Sequence, residues 1–485
     1  MAKVLLINPP WYVLLGMSSS SVPVGLISLA GSLKAAGHDV AIFNPDLFGS
    51  LYASELDLLN TNDRYIQRLE DRSDPVWRRV RERLLEFDPD VVGVHVKTPS
   101  WASGCMVACI AKEVNPRVMT VCGGPHVSCV PEDVTYATGF DYGVLGEGEH
   151  AMVRLIEASS CDERARISGI LAFRDGSSRG ASCAMIENLD VLPLDGREAL
   201  MDVDSYDKLG LGALMTARGC PFPCKYCASH KIWGRKVRYR SPENVLAEID
   251  LLVNEYGLNY FEFCDDTFTV NERRARMICD MLARRYGNLQ WKCTTRCDCI
   301  SSELLASMKR AGCSEVSIGV ESGSPRILDW IKKNETREQI AEGCRLLRAA
   351  RIPFVAFIMI GFPTETVDEA WETLHFAKAL GADSLCGSIA TPYPGTRMYE
   401  WAVEADKVPH EGDWHKYYHQ SGSMGLWDVE PGTARSVIHE WFTQIEAYNQ
   451  RPTRLTRRFL TKFKGDPVGT IRRAGSVLHR KLANR

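Results

Sequence analysis

Long hydrophobic runs are missing from this chain. No segment of its 485 residues approaches 18 consecutive apolar residues, which argues against a membrane-spanning helix. A charge excess of either sign is missing too. The formal net charge is −3, with 25% charged and 45% hydrophobic residues, a soluble globular composition that calls for no nucleic-acid partner. The opening MAKVLLINPP carries one charge and a five-residue strand-like run stopped by two prolines, so it lacks a signal-peptide h-region. Nor is there an even, tightly spaced cysteine framework. The 17 cysteines are odd in number and scattered through apolar runs, as with Cys122, Cys264, Cys293 and Cys386. That usage fits buried thiols in a reducing compartment and predicts a cytoplasmic protein.

What is present is a regular alternation of short apolar runs and helix-like stretches. Over residues 1–150, KVLLINPP, DVAIFNPD (39–46), DVVGVHV (90–96), VMTVCGG (118–124) and DYGVLGE (141–147) read as strands. Helices are expected from Pro23 to Gly37, around WRRVRERLLEF (77–87) and over 101–112. Such spacing predicts a doubly wound parallel sheet of Rossmann type. Residues 151–205 read as a linker with a small subdomain: a helix AMVRLIEA, a hairpin around GILAFRDGSSRG and the connector LDVLPLD.

A second alternation fills 206–400. Its strands are LGALMTARG, NYFEFCDD (259–266), LQWKCTTRCD (289–298), SEVSIGVES (314–322), IPFVAFIMIG (352–361) and SLCGSIATPYPGT (384–396). Ser241, Pro242 and Gly257 bound one of the intervening helices. Six such units predict an open (β/α)6 barrel, with functional groups at the C-terminal strand ends. Residues 401–485 are expected to form a mainly helical C-terminal domain. Trp401, Trp414, Tyr417, Tyr418 and Trp427 are expected to pack that domain onto the barrel rather than line its mouth. The last 35 residues hold 11 Lys/Arg against one Asp, a basic tail suited to a solvated amphipathic helix or to peripheral contact with anionic lipid.

Cys220, Cys224 and Cys227 follow the first strand of the second alternation as CPFPCKYC. Structural zinc takes four protein ligands, and a four-iron cube held by three cysteines keeps one iron without a protein ligand. A zinc site completed by His230 would leave the neighbouring strand ends without a role. Cys293, Cys297 and Cys299 share one parity along a presumed strand and would face one side, though a second cluster is not expected there.

CxxxCxxC with an aromatic, Tyr226, before its last cysteine resembles the cluster loop of the radical S-adenosylmethionine (SAM) enzymes. In that family the vacant iron is bound by the amino and carboxylate groups of SAM. The resemblance therefore implies a 4Fe-4S cluster on Cys220, Cys224 and Cys227, with Tyr226 beside it. It makes Asp265 and Asp266 catalytic candidates that contact SAM or substrate, and gives Arg296 a carboxylate or ribose hydroxyl. Glu321 and Ser322, in IGVESGS, would face the SAM ribose or amino-acid part. GFPTET (361–366) and TPYPGT (391–396), the latter with Pro392, resemble the fifth and sixth strand ends of the same family.

The first domain resembles the cobalamin-binding domain of the B12-dependent radical SAM class. The matching stretches are INPP (7–10), residues 18–40, GVHVKTPSW, CGGPH (122–126) and LGEGE (145–149). Implied cobalamin contacts are Pro23, Gly25, His95, Gly123, Gly124, His126, Gly146, Glu147, Gly148 and Glu149. No D-x-H-x-x-G motif occurs, so neither His95 nor His126 is assigned to cobalt; both read as sheet-end or pocket residues. Gly146, Gly148 and Glu149 suit the dimethylbenzimidazole tail or the interdomain seam. The class implies a C-methyltransferase: a 5'-deoxyadenosyl radical from SAM abstracts hydrogen, and methylcobalamin delivers the methyl group. The alternative is a nonmethylating cyclase, ring-rearranging or oxidising enzyme, since the layout also resembles anaerobic magnesium-protoporphyrin ester cyclases. The expected partners are a small-molecule substrate of natural-product, pigment or lipid type and an electron donor such as flavodoxin or ferredoxin.

Overall fold

The structure is a computed structural model that describes residues 1–49, 55–59, 61–136, 139–172, 185–408, 412–420, 427–452 and 454. Its first sheet is built from β1 (Lys3–Ile7), β2 (Asp39–Phe43), β3 (Val91–His95), β4 (Met119–Gly123), β5 (Tyr142–Val144) and β6 (Ile170–Ala172). The order is β2-β1-β3-β4-β5-β6, parallel except for β6, which runs antiparallel to β5. β1 shows no alternation of buried and accessible residues: Val4, Leu5, Leu6 and Ile7 are all buried, as a parallel strand covered on both faces requires. The chain passes from β1 to β2 on one side and then to β3 on the other, which opens a crevice at the C-terminal strand ends. Beyond Ala172, the expected hairpin lies outside the described residues.

The second sheet contains β7 (Ala213–Leu214), β10 (Tyr260–Phe263), β11 (Gln290–Thr295), β12 (Cys313–Glu321), β13 (Phe354–Ile360) and β14 (Ser384–Ile389), with β8 (Ala217–Arg218) and β9 (Arg238–Tyr239) forming a separate ribbon. Its order, β14-β13-β12-β11-β10-β7, is parallel throughout and leaves β7 and β14 as its edges among the described residues. This is the open six-stranded barrel. Along β13, Phe354, Ala356, Ile358 and Ile360 are buried while Val355, Phe357 and Met359 keep accessible surface. One face of the strand is thus packed and the other is partly accessible. The helix Pro242–Tyr256 begins where Ser241 accepts the Asn244 N–H and ends on Gly257 at φ 61°, as expected.

Two strand expectations fail, for stated reasons. LGALMTARG is not one strand. After Leu214 the chain leaves the sheet because Asp265 captures the Thr216 and Ala217 amides, and Ala217–Arg218 pairs antiparallel with Arg238–Tyr239. Residues Cys297–Cys299 form a 3-10 turn after β11, so the common parity with Cys293 is lost. Cys293 sits against Cys313 and Cys297 against Cys344, while Cys299 lies beside Asp298.

Segment 413–420 is wedged between the two sheets. The Ile389 amide, at the end of β14, donates to the His419 carbonyl at 2.7 Å. Trp414, Tyr417 and Tyr418 are buried with the first-sheet core, Trp11 meeting Tyr418 at 5.1 Å, and Trp427 is buried with the barrel core. Trp414, Tyr417 and Tyr418 therefore pack on the first sheet, not on the barrel as expected, because the 413–420 segment returns to that sheet's core. The basic tail beyond Arg454 lies outside the described residues.

Candidate functional site

The cysteine loop springs from the β8–β9 ribbon. Gly219, at φ 103°, makes the exit: a Cβ there would meet the Lys236 carbonyl oxygen at 2.7 Å. The loop is held by backbone bonds to both sides. Lys225 N–H donates to the Ile331 carbonyl and the Lys225 carbonyl accepts from Met398 N–H, each at 2.9 Å. Cys220, Cys224 and Cys227 all keep some accessible surface. Burial pushes all three thiols up, Cys227 to about 12, with Asp266 and the two other cysteines adding to it. Three thiolates in one partly buried loop are costly without a cation, and coordination removes that cost. No three His, Cys, Asp or Glu side chains among the described residues converge as ligands of one ion. Three thiols from one loop are the donor set of a four-iron cube that leaves one iron without a protein ligand.

Asp265 and Asp266 divide the work expected of both. Asp265 is buried and accepts from Thr216 N–H (2.6 Å), Ala217 N–H (3.1 Å) and the Thr216 hydroxyl. Arg274 completes this brace by donating to the Thr216 carbonyl at 2.8 Å. Asp265 is therefore a positioning residue for the segment that enters the cysteine loop, not a ligand contact. Asp266 faces the loop: it accepts from the Ser229 hydroxyl at 2.5 Å, keeps accessible surface, and has its carboxyl raised by burial.

Behind Cys224 lies a buried ionic group. Arg296 donates to both Asp298 oxygens (2.9 and 2.8 Å) and to the Lys333 carbonyl (2.9 Å), and stacks over Phe222 of the cysteine loop at 3.8 Å. Its Nη1 is buried without a partner. Lys333, 3% exposed, stands 3.4 Å from both Glu321 and Glu335. Glu321 holds φ 63° where the β12–β13 register shifts, at a strain of about 1–3 kcal/mol. Tyr226 adjoins Glu321 and its ring lies 6.2 Å from Phe362. Ser322 is turned the other way. It is fully buried, 3.1 Å from Thr373 Oγ1, and accepts from Ser324 N–H, so it caps a turn rather than facing a ligand. Pro392 is buried in the turn that follows β14. Lys333 and Glu335 were missed at sequence level; the signal was KKNET, a polar turn whose Lys332 and Asn334 adopt φ 52° and 56°.

A cavity of about 260 Å³ opens at the first-sheet crevice, lined by Gly25, His95, Gly123, Gly124 and the 146–149 loop, and closed by Leu189–Leu194 and Arg218. It is mostly apolar. An added Cβ at Gly25 would approach His95 Nε2 at 4.0 Å, and one at Gly123 would approach Val144 atoms at 3.5 and 3.6 Å. At either position a Cβ would take space from the cavity. Gly124, at φ 113°, would place a Cβ 2.8 Å from the Val96 carbonyl oxygen. His95 Nδ1 is buried without a partner, and burial with nearby Lys97 pushes this imidazole down to about 3. An apolar cradle with one unpaired polar atom fits the nucleotide tail of a corrin. Two expected contacts do not line it. Pro23 caps the helix Val24–Ala35 from outside, and His126 is fully buried between Asp133 (3.1 Å), Thr98, Trp101 and Trp414.

The two sites are joined by charge. Arg218, two residues before Cys220, donates to Glu147 (2.8 Å), Glu149 (2.5 Å) and Ser28 (3.2 Å), and Arg238 donates to Glu147 at 2.6 Å. Glu147 and Glu149 are thus seam residues that also border the cavity.

Comparison with known proteins bears on both halves. The Radical SAM superfamily matches residues 214–377 and the B12 binding domain matches residues 13–156. The chain is 33% identical over 421 residues to an uncharacterized methyltransferase of Pyrococcus horikoshii, covering 86% of each. It is 32% identical over 335 residues to the anaerobic magnesium-protoporphyrin IX monomethyl ester cyclase of Cereibacter sphaeroides, covering 66% of this chain and 54% of that protein. Among solved structures, the radical S-adenosylmethionine methyltransferase TsrM from Kitasatospora setae, with cobalamin and a 4Fe-4S cluster bound, superposes with a TM-score of 0.67 at 20% identity, covering 85% of this chain and 80% of that one.

Proposed function

The chain belongs to the radical SAM superfamily and carries a B12 binding domain, and from that membership we propose that it is a C-methyltransferase acting on a small molecule. The observation that carries the proposal is the seam. Arg218 borders the glycine-lined cavity of the first sheet and leads directly into the cysteine triad, so one rigid connection holds both cofactor sites. When bound, the cluster and SAM supply a carbon radical and cobalamin supplies the methyl group.

The chain's own residues supply placement. Cys220, Cys224 and Cys227 hold the cluster, and the Thr216–Asp265–Arg274 brace fixes the segment from which their loop departs. Arg296 Nη1, unpaired in the structure, and Lys333 offer cationic donors to the carboxylate of SAM, and Glu321 offers an acceptor to its ammonium. Asp266 completes the polar wall beside the triad. Gly25 and Gly123 leave room for the corrin tail, and the Tyr226 ring, 6.2 Å from that of Phe362, would stand beside the cluster. A single-electron donor of flavodoxin or ferredoxin type and peripheral membrane contact through the basic tail belong to this reading. No described helix is long and apolar enough to cross a membrane.

The second reading is oxidative ring closure without methyl transfer, favoured by the 32% identity to the cyclase. The test is anaerobic reconstitution with iron, sulfide and hydroxocobalamin, followed by turnover with trideuteromethyl-SAM. About four irons and about one cobalt per chain are expected, with the label in the product. Cobalt binding without label transfer would overturn methylation in favour of the cyclase-type reading. Iron without cobalt would remove cobalamin from both.

A further inference from the structure

The charged groups that border the first-sheet cavity are engaged with one another. Arg197 and Arg240 both donate to Glu248, at 2.6 and 2.5 Å, and Arg218 donates to Glu147 and Glu149 at 2.8 and 2.5 Å. The Ser28 hydroxyl, also on the lining, donates to Glu149 at 2.7 Å. His95 differs. It stands at the C-terminal end of β3, lines the cavity and keeps accessible surface. No described residue hydrogen-bonds to either of its ring nitrogens, and Nδ1 is fully buried. Its other edge lies over two glycines of the same lining: a Cβ at Gly124 would meet Cδ2 at 2.9 Å, and one at Gly25 would approach Nε2 at 4.0 Å. Glycine at both positions leaves that edge uncovered. Burial keeps the imidazole neutral, so it carries one N–H and one bare nitrogen. An unpaired polar edge on an apolar cavity is costly unless a ligand group meets it.

We propose that His95 selects the lower base of the bound corrinoid: its Nε2–H donates to the ring nitrogen of a benzimidazole-type base, which disfavours corrinoids whose base lacks that nitrogen. The proposal deepens the cofactor reading and rests on it. The rest of the lining suits such a base, since Val121, Val144, Met152 and Leu192 offer apolar walls to a flat methylated ring. A site built around a hydrogen bond rejects the analogue that lacks the partner atom, because the buried donor is then left unpaired.

The test follows corrinoid binding to the cluster-reconstituted full chain by visible absorbance at equilibrium, for wild type, His95→Leu and His95→Gln. Hydroxocobalamin carries dimethylbenzimidazole, whereas p-cresolyl cobamide has the same corrin and nucleotide loop with a phenolic ring that lacks nitrogen. Only the first must free its base from cobalt, so each corrinoid is compared with itself across the variants. His95→Leu should weaken hydroxocobalamin about tenfold and leave p-cresolyl cobamide unchanged. It should also keep or raise the Tm of the apo protein, because it removes an unpaired polar group. His95→Gln, whose amide N–H extends about as far as Nε2–H, should restore most of the affinity. Equal weakening of both corrinoids would show that His95 only packs against the tail and would overturn the proposal. Unchanged hydroxocobalamin binding in His95→Leu, or a lower apo Tm, would overturn it as well. Wild-type affinity for hydroxocobalamin checks the cofactor reading separately: without it, the corrin site and the selection fall together.

Discussion

Replacing Arg218 by methionine removes the central cation of the seam while keeping much of its volume. The side chain is 8% exposed, Glu147 is 0% and Glu149 is 6%, so all three charges are desolvated. Glu147 keeps Arg238 at 2.6 Å, but Glu149 keeps only the Ser28 hydroxyl at 2.7 Å and the first turn of its own helix, Gly148–Glu157. The loss therefore falls on Glu149. Stripping one partner from a buried pair costs about 3–5 kcal/mol. Unfolding entropy for a chain of this length is about 1 kcal/mol per kelvin if it melts as a unit, so Tm should fall by about 3–5 °C in calorimetry of the apo protein at pH 8. The pH dependence has a definite sign. Burial raises the Glu149 carboxyl, and Arg218 more than offsets this, leaving it below the ordinary range. That stability is present above the unfolded carboxyl pKa and is lost as pH falls. Without Arg218 the same carboxyl is raised instead, so the variant loses stability as pH rises, and its deficit should be smaller at pH 5.5 than at pH 8. The double variant Arg218→Met/Glu149→Met should recover most of the loss, because an apolar pair replaces a broken ionic one. A Tm change below about 1 °C at pH 8, or a double variant no better than the single one, would refute the argument.

Asp265→Asn should lower iron incorporation, because one amide oxygen cannot accept all three Thr216 and Ala217 donors; Asp266→Asn should leave the iron content intact and slow SAM cleavage, measured as 5'-deoxyadenosine released. Gly123→Ala should fold normally and weaken cobalamin binding, measured by visible absorbance, since its Cβ takes cavity space. Gly124→Ala should destabilise the apo protein by about 1 kcal/mol or more, its φ of 113° and its 2.8 Å approach to Val96 both opposing a side chain. Glu365 is buried and raised to about 8, chiefly by burial. Its contribution to stability is full below the unfolded carboxyl pKa and is lost as pH rises through about 8, so Glu365→Gln should flatten the Tm–pH curve between pH 5 and pH 9.

The strands of both sheets were legible because buried parallel strands read as apolar runs and the helices between them carry caps such as Ser241 and Gly257. The C-x3-C-x2-C spacing stood out in the sequence, and its reading as a cluster loop came from the resemblance to radical SAM enzymes. What failed was orientation. Asp265 and Ser322 stand beside residues that do face the site, and nothing local tells which of two adjacent polar groups turns toward the backbone: Asp265 is claimed by amides 48 and 49 residues away, Ser322 by Thr373. His126 looked like a pocket residue because it closes the CGGPH stretch, yet the aromatic partner that helps seal it, Trp414, comes from the far end of the chain. Arg218 and Lys333 escaped for the same reason, since their meaning lies in long-range carboxylates: Glu147 and Glu149 for one, Glu321 and Glu335 for the other.

Both sites are surrounded by buried ions where apolar packing would have sufficed for stability. A buried ion pair adds little net stability over well-packed hydrophobic residues of the same volume, so the seam and the Arg296–Lys333 group need another justification. Apolar contacts hold two surfaces together but tolerate sliding, whereas Arg218 can reach Glu147, Glu149 and Ser28 at 2.8, 2.5 and 3.2 Å in only one relative placement of the sheets. Transfer of a carbon unit between two cofactor sites depends on that placement, because reacting atoms displaced by about 1 Å lose on the order of a hundredfold in rate. The seam residues should therefore betray themselves by kinetics before stability: Arg218→Lys, which keeps the charge but loses the planar fork, should fold and load both cofactors yet transfer methyl groups more slowly than it cleaves SAM. A variant that slows both steps equally would show that the seam only holds the chain together.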